Sequence, residues 1–138
     1  MKNKGFTFIE MLVVITIIAV LTMIGVTSYG VANKKARDGK RKGDLEQIRA
    51  ALEIYYTDVS DYPATGSFIF GTGTITNGSD TYMNPVPNDP LSTQTYVYTS
   101  VALSKSYDLY ALLEGEAGTA YTSDCGPSTC NYKVSNPL

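Results

Sequence analysis

The 138-residue chain has no histidine, no tryptophan, two cysteines and a net charge of −2. Without histidine there is no Ser–His–Asp triad and no His-ligated metal, and two cysteines alone cannot close a zinc site. The small net charge hides a division: six bases and one acid, a net of +5, lie between Lys34 and Gly43, whereas eleven acids and three bases, a net of −8, lie from Asp44 onward.

In chain order, a short basic stretch ending at Gly5 precedes Phe6, and an uncharged run follows from Met11 to Asn33. About 20 apolar residues, rising about 1.5 Å each, cover the roughly 30 Å of a bilayer's hydrocarbon, so this run is long enough to span one. Glu10 stands at its mouth. An ionised carboxylate costs roughly 2.5–3.5 kcal/mol at mid-bilayer and less near the interface, so an unpaired Glu10 needs a partner.

Helix is predicted from Phe6 to about Thr57, because no proline occurs before Pro63. Gly25, Gly30, Gly39 and Gly43 weaken it by roughly 1 kcal/mol each relative to alanine without ending it. At about 1.5 Å per residue it would be about 78 Å long, so its first half must project from any small domain, into membrane or neighbouring copies. Past the basic neck, Leu45, Ile48, Leu52, Tyr55 and Val59 recur at spacings of three and four, the stripe of a helix lying on an apolar surface. Tyr62-Pro63 closes the helix, since a residue before proline is pushed out of the helical region.

Beyond it, 64–80 is rich in Gly, Thr and Ser, with Asn77-Gly78 as a turn, and 83–90 contains three prolines and is expected to be an extended surface connector. Tyr96, Tyr98 and Ser100 alternate with Val97, Thr99 and Val101. Tyr107, Leu109, Ala111 and Leu113 likewise oppose Asp108, Tyr110, Leu112 and Glu114. With the 103–106 link between them, these runs predict an antiparallel hairpin, and a further strand is expected at 120–122 or 132–134. The fold class is α+β: a long N-terminal helix with its apolar half projecting and its amphipathic half packed on a small antiparallel sheet. The acidic head is a poor nucleic-acid binder, so no nucleic acid is expected there.

The N-terminus admits two readings. An ordinary secretory signal would be cut after the small-x-small triplet Gly30-Val31-Ala32, leaving Asn33 first. Its apolar run is too long for that, Glu10 interrupts its start, and six bases follow the cut. The other reading cuts between Gly5 and Phe6. Here Lys4-Gly5-Phe6-Thr7-Phe8-Ile9-Glu10 resembles the prepilin-peptidase motif of type IV pilins and of the pseudopilins of type II secretion. The stretch from Ala36 to Leu52, then Tyr56 to Pro63, is similar to the amphipathic half and helix exit of such subunits, and Pro85 to Pro90 ahead of Tyr96-Val97-Tyr98 looks like their connector. The likeness covers 4–63 well and 83–114 loosely. There are departures. Thr27 stands where many members have proline, Leu91-Ser92 replaces a frequent Trp-Gly, and the Asp/Gly-rich calcium loop of major pseudopilins is not recognisable, which favours pilin over pseudopilin.

The resemblance implies a pilin-like division: leader 1–5, transmembrane or filament-core helix 6–33, amphipathic helix 34–62 and globular head 63–138. It implies processing at Gly5 and Phe6, an N-methylated Phe6 amine, and assembly through Phe6 and Glu10. Four residues put the amine about 6 Å from Glu10 along the axis, so staggered helices can set one copy's amine beside a neighbour's Glu10, where weak screening strengthens the pairing. The plainer reading is a carboxylate that snorkels to the interface or is protonated.

Cys125 and Cys130 bracket the turn-forming Gly126-Pro127-Ser128-Thr129 and are expected to form a disulfide, which implies an oxidising compartment; a free pair is the alternative. The neck is expected to touch acidic head surface of adjacent copies or lipid headgroups, or to be a solvated collar. Its six bases oppose an N-inside orientation by positive-inside counting; the peptidase's cytoplasmic action and the cysteines favour it. Asp80, Asp89, Asp108, Glu114, Glu116 and Asp124 could offer calcium oxygens, but no loop has selecting spacing, so solvated surface is expected, with no metal and no cofactor.

The function expected first is therefore a structural subunit, not an enzyme. It would insert in the bacterial inner membrane with its N-terminus cytoplasmic, be cut by prepilin peptidase and be handled by pilus assembly machinery. It would then polymerise with copies of itself into an extracellular type IV pilus-like helical filament. The alternatives are a pseudopilin of a type II secretion or DNA-uptake machine, and a membrane-anchored binding module that never polymerises.

Overall fold

The computed structural model describes residues 5–101, 105–115 and 118–136, apart from the Thr27 side chain. Helix α1 runs Phe8–Val59, 52 residues, and none of its four glycines interrupts it. Its N-cap is Thr7, in extended conformation. Its stop is not Tyr62-Pro63 as expected, but Ser60, in the left-handed region at φ 61, whose N–H donates to Tyr56 O at 2.8 Å. The left-handed residue turns the chain out of the helical path three residues before the proline forbids it, so the amphipathic helix ends short of 62.

Two small antiparallel sheets cover the second half of α1. Strands β1 (Ile75–Asn77) and β2 (Asp80–Met83) form a hairpin around Gly78 at φ 60. The turn was expected but its strands were not, since only Ile75 in β1 is buried and the segment is otherwise polar. Strands β3 (Val97–Val101), β4 (Ser106–Ala111) and β5 (Tyr132–Ser135) form the main sheet in the order β3-β4-β5. Tyr98 lies opposite Leu109, and Leu109 opposite Val134, so one face is buried at every second residue. Of the two candidates for a further strand, 132–134 is one and 120–122 is not. Leu103 and Ser104 of the expected link lie outside the described residues.

The core forms where Leu45, Ile48, Ala51 and Leu52 of α1 meet Tyr96, Tyr98, Tyr107, Leu109, Ala111 and Val134. Its tyrosines solve a polar problem by aiming their hydroxyls at helix carboxylates: Tyr96 donates to Asp44 at 2.8 Å and Tyr107 to Glu53 at 2.9 Å. Burial, reinforced by those acceptors, raises both phenols well above their ordinary range. The same causes, burial first and then Glu53, push Tyr62 up to about 12. The connector at 83–90 is not the surface segment expected. Val86 is fully buried and bonded on both sides to the Gly71 and Gly73 backbone, and Asp89 is buried too.

Candidate functional site

Three features concentrate chemistry along the helix. The first is its start. Gly5, Phe6 and Thr7 precede the helix and all are exposed, so the Gly5–Phe6 peptide is reachable. Thr7 and Glu10 form a capping box: the Thr7 N–H and hydroxyl both donate to Glu10 Oε2 at 2.8 Å, and the Glu10 N–H donates to Thr7 Oγ1 at 3.2 Å. Glu10 is thus hydrogen-bonded within its own chain, which corrects the view of it as unpaired. Among the described residues its charge meets no cation there. The spacing Thr-x-x-Glu ahead of an apolar run was a legible signal for this box that the sequence reading passed over.

The second is the projecting half. Every described side chain from Phe6 to Ala32 is exposed, and this part of α1 is long and apolar enough to cross a membrane. Two of its hydroxyls are folded back: Thr16 donates to Val13 O and Thr22 to Ile18 O, both at 2.8 Å. An apolar surroundings therefore meets few unsatisfied donors.

The third is the attachment of helix to head. Arg41 has no exposed side-chain surface. It grips Asp89 with two bonds, Nε to Oδ2 at 2.7 Å and Nη2 to Oδ1 at 3.0 Å, and its Nη1 donates to Asp38 Oδ1 and Glu114 Oε1, each at 2.8 Å. One turn earlier Arg37 makes a second fork onto Glu114, at 2.6 and 2.5 Å. Asp38 in turn accepts the Glu114 and Gly115 N–H groups at 2.9 and 2.8 Å. The Arg37 bonds, with Arg41 adding to them, hold the Glu114 carboxyl down to about 2. Burial would depress the Arg41 guanidinium, but its bonds to Asp89, Glu114 and Asp38 outweigh it and the group stays cationic.

The neck is therefore not uniformly a collar facing solvent, lipid or other copies: its two arginines bind the chain's own head. Asp89 and Glu114, expected as solvated acids, are the head's half of the clasp. The signal was present, because Arg41, Leu45, Ile48 and Leu52 continue one helical stripe; a guanidinium at its end implied carboxylates opposite. Of the other acids, Asp108 pairs with Lys133 at 3.1 Å, Asp124 accepts the Gly126 N–H, Asp80 is exposed, and Glu116 lies outside the described residues. Among the described residues no group of three or more acids, cysteines or histidines could hold a metal ion.

Cys125 and Cys130 form the expected disulfide, with Cα atoms 5.2 Å apart and both residues buried. The loop they close is also bridged between Asp124 and Thr129, and Cys125 O accepts the Thr95 N–H at 3.1 Å, tying the loop to the connector ahead of β3.

Comparison with known proteins matches residues 1–26 to the prokaryotic N-terminal methylation motif and residues 29–126 to the family of type II secretion system protein G. The type II secretion system core protein G of Pseudomonas aeruginosa is 30% identical over 135 residues, covering 91% of this chain and 94% of that protein. The proteins of the same description from Escherichia coli K12 and Vibrio cholerae are 29% and 27% identical, covering 86% and 85% of this chain and 87% and 85% of theirs. No solved structure matches. The relatives favour the pseudopilin alternative over the surface pilin expected first, although the calcium loop that weighed against it is still not recognisable. With its methylation motif, its exposed apolar helix and its head matched over most of their length, the chain belongs to the type II secretion system protein G family.

Proposed function

We propose that this chain is the structural subunit of a secretion pseudopilus. It waits in the inner membrane through 6–33 with its N-terminus on the cytoplasmic side, loses a leader of residues 1–5, and polymerises through the same helix. The observation that carries this reading is a helix uncharged from Met11 to Asn33, exposed in every described side chain from Phe6 to Ala32, that opens at an accessible Gly5–Phe6 bond. The membrane and then neighbouring copies of the helix cover that apolar surface in turn. The head, from 34 onward, stays in an oxidising compartment, in keeping with the buried disulfide.

Glu10 acts at the exchange between these states. Its carboxylate is held by Thr7 and, among the described residues, meets no cation. A cut after Gly5 creates an amine at Phe6, and a staggered neighbour's amine supplies the missing positive charge. Arg37 and Arg41 carry load from the filament core into the head, because they lie where α1 leaves it. Membership of the protein G family supports a secretion pseudopilus over a surface fibre, and a structural role over catalysis. N-terminal sequencing of the mature protein tests the processing: Phe6 is expected, and Asn33 would return the chain to the ordinary secretory class. Cysteine crosslinking between helix positions of different copies tests polymerisation, and monomers alone under assembly conditions would refute it.

A further inference from the structure

Where the projecting helix enters the head, an open apolar face is followed by a recess along its side. The face is made by Ser28, Val31, Ala32 and Lys35; the recess, about 280 Å³, is lined by Lys35, Asp38, Gly39, Lys42 and Gly115. Lys35 belongs to both, so an apolar track passes directly into a cation-lined one. Arg37, which already touches the head, is four residues past Asn33, about 6 Å along the axis. The headgroup layer on each side of a bilayer is roughly 5–7 Å thick, so the head's underside stands at its level.

Charge agrees with that position. Lys34, Lys35 and Lys40 are exposed. The acids of the underside are masked: Asp38, Asp89 and Glu114 all bond to Arg41 or Arg37. The six bases of the neck therefore face three carboxylates, a net of +3, and counting Glu116, outside the described residues, still leaves +2. We propose that the junction of helix and head binds an anionic phospholipid of the leaflet facing the head, its acyl chain along Ser28, Val31 and Ala32 and its phosphate at Lys35 and Lys42. The masking of the three carboxylates by Arg37 and Arg41 is what leaves the underside attractive to phosphate. The inference rests on the membrane-inserted reading above.

The test uses the full chain reconstituted in phosphatidylcholine vesicles with and without phosphatidylglycerol, with insertion checked first by flotation and carbonate extraction. Electron paramagnetic resonance then compares how strongly the protein retains spin-labelled phosphatidylglycerol and spin-labelled phosphatidylcholine. The wild type is expected to prefer the anionic lipid by up to about fivefold per surface lysine. That preference should collapse near 1 M salt, where the screening length is about 3 Å. K35Q/K42Q should bring the ratio close to one, Lys35→Glu alone should lower it markedly, and K35R/K42R should keep it. Near-UV tyrosine circular dichroism reports that each variant's head is folded. Equal retention of both lipids by the wild type, a preference indifferent to salt, or an unchanged ratio in the Lys→Gln variant would overturn the proposal. So would loss of copy-to-copy crosslinks in that variant with its lipid preference intact, since the neck would then be a subunit contact. A chain that fails to insert at all would overturn the membrane reading beneath it.

Discussion

Replacing Arg41 by alanine is expected to be among the most damaging single changes to the head. The side chain is wholly buried and is bonded to three carboxylates, of which Asp89 is itself without exposed side-chain surface. Removing one partner of a buried ion pair costs roughly 3–5 kcal/mol, because the other charge stays buried and uncompensated. A domain of this size is stable by about 5–15 kcal/mol in all, so the variant loses a large share. With 1 kcal/mol shifting the midpoint by about 4–8 °C in a 60–100-residue domain, Tm should fall by roughly 12–40 °C. The assay is thermal unfolding of the full chain in detergent followed by near-UV circular dichroism. Tyr62, Tyr96, Tyr98 and Tyr107 are packed in the head, and no tryptophan overlies the tyrosine signal. Arg41→Lys should recover part of the loss, since an ammonium restores charge but not the two-bond grip on Asp89. An Arg41→Ala head within about 1 kcal/mol of wild type would refute the reasoning, because a buried charge left alone cannot be that cheap.

The same cluster sets an acid limit. Glu114 is held down from 4.5 to about 2, so its stabilisation is fully present above pH 4.5 and is lost as pH falls toward 2. It amounts to roughly 2–4 kcal/mol, and an acid titration of R37A/R41A should show that slope gone. Glu10→Ala should insert and be cleaved as the wild type is but fail to assemble, as electron microscopy and crosslinking would report; normal filaments would sink the pairing. C125S/C130S should lose about 2 kcal/mol by the chain-entropy argument for so short a loop, visible as a lower urea midpoint with little change in its slope. Ile48→Ala, at a fully buried position between helix and sheet, should cost roughly 2–5 kcal/mol in the same experiment.

The long helix, its apolar half and its N-terminal methylation motif could be read along the chain because each rests on local rules. A run of uncharged residues has a length, and that length can be compared with a bilayer's thickness. The stripe Leu45, Ile48, Leu52 and the alternation Tyr107, Leu109, Ala111 likewise announce which face is buried, since helix and strand periods differ. Other features had a local signal that the sequence reading missed. The capping box is one, spelled by Thr7 and Glu10. The β1–β2 hairpin is another, although its strands carry too few apolar residues to stand out from a loop.

What sequence could not decide was pairing across distance. Arg41 and Asp89 are 48 residues apart, and Arg37 and Glu114 are 77 apart. Whether such charges are solvated or clasped depends on the packing that brings them together and removes water from between them. Composition counted a basic neck and an acidic head as two surfaces awaiting partners. The tertiary structure spends the two arginines and three of the acids on each other, and leaves Lys34, Lys35 and Lys40 exposed. That follows from burial: a guanidinium's planar fork can satisfy several carboxylate oxygens in a dry site, whereas a lysine's compact, strongly hydrated charge favours water.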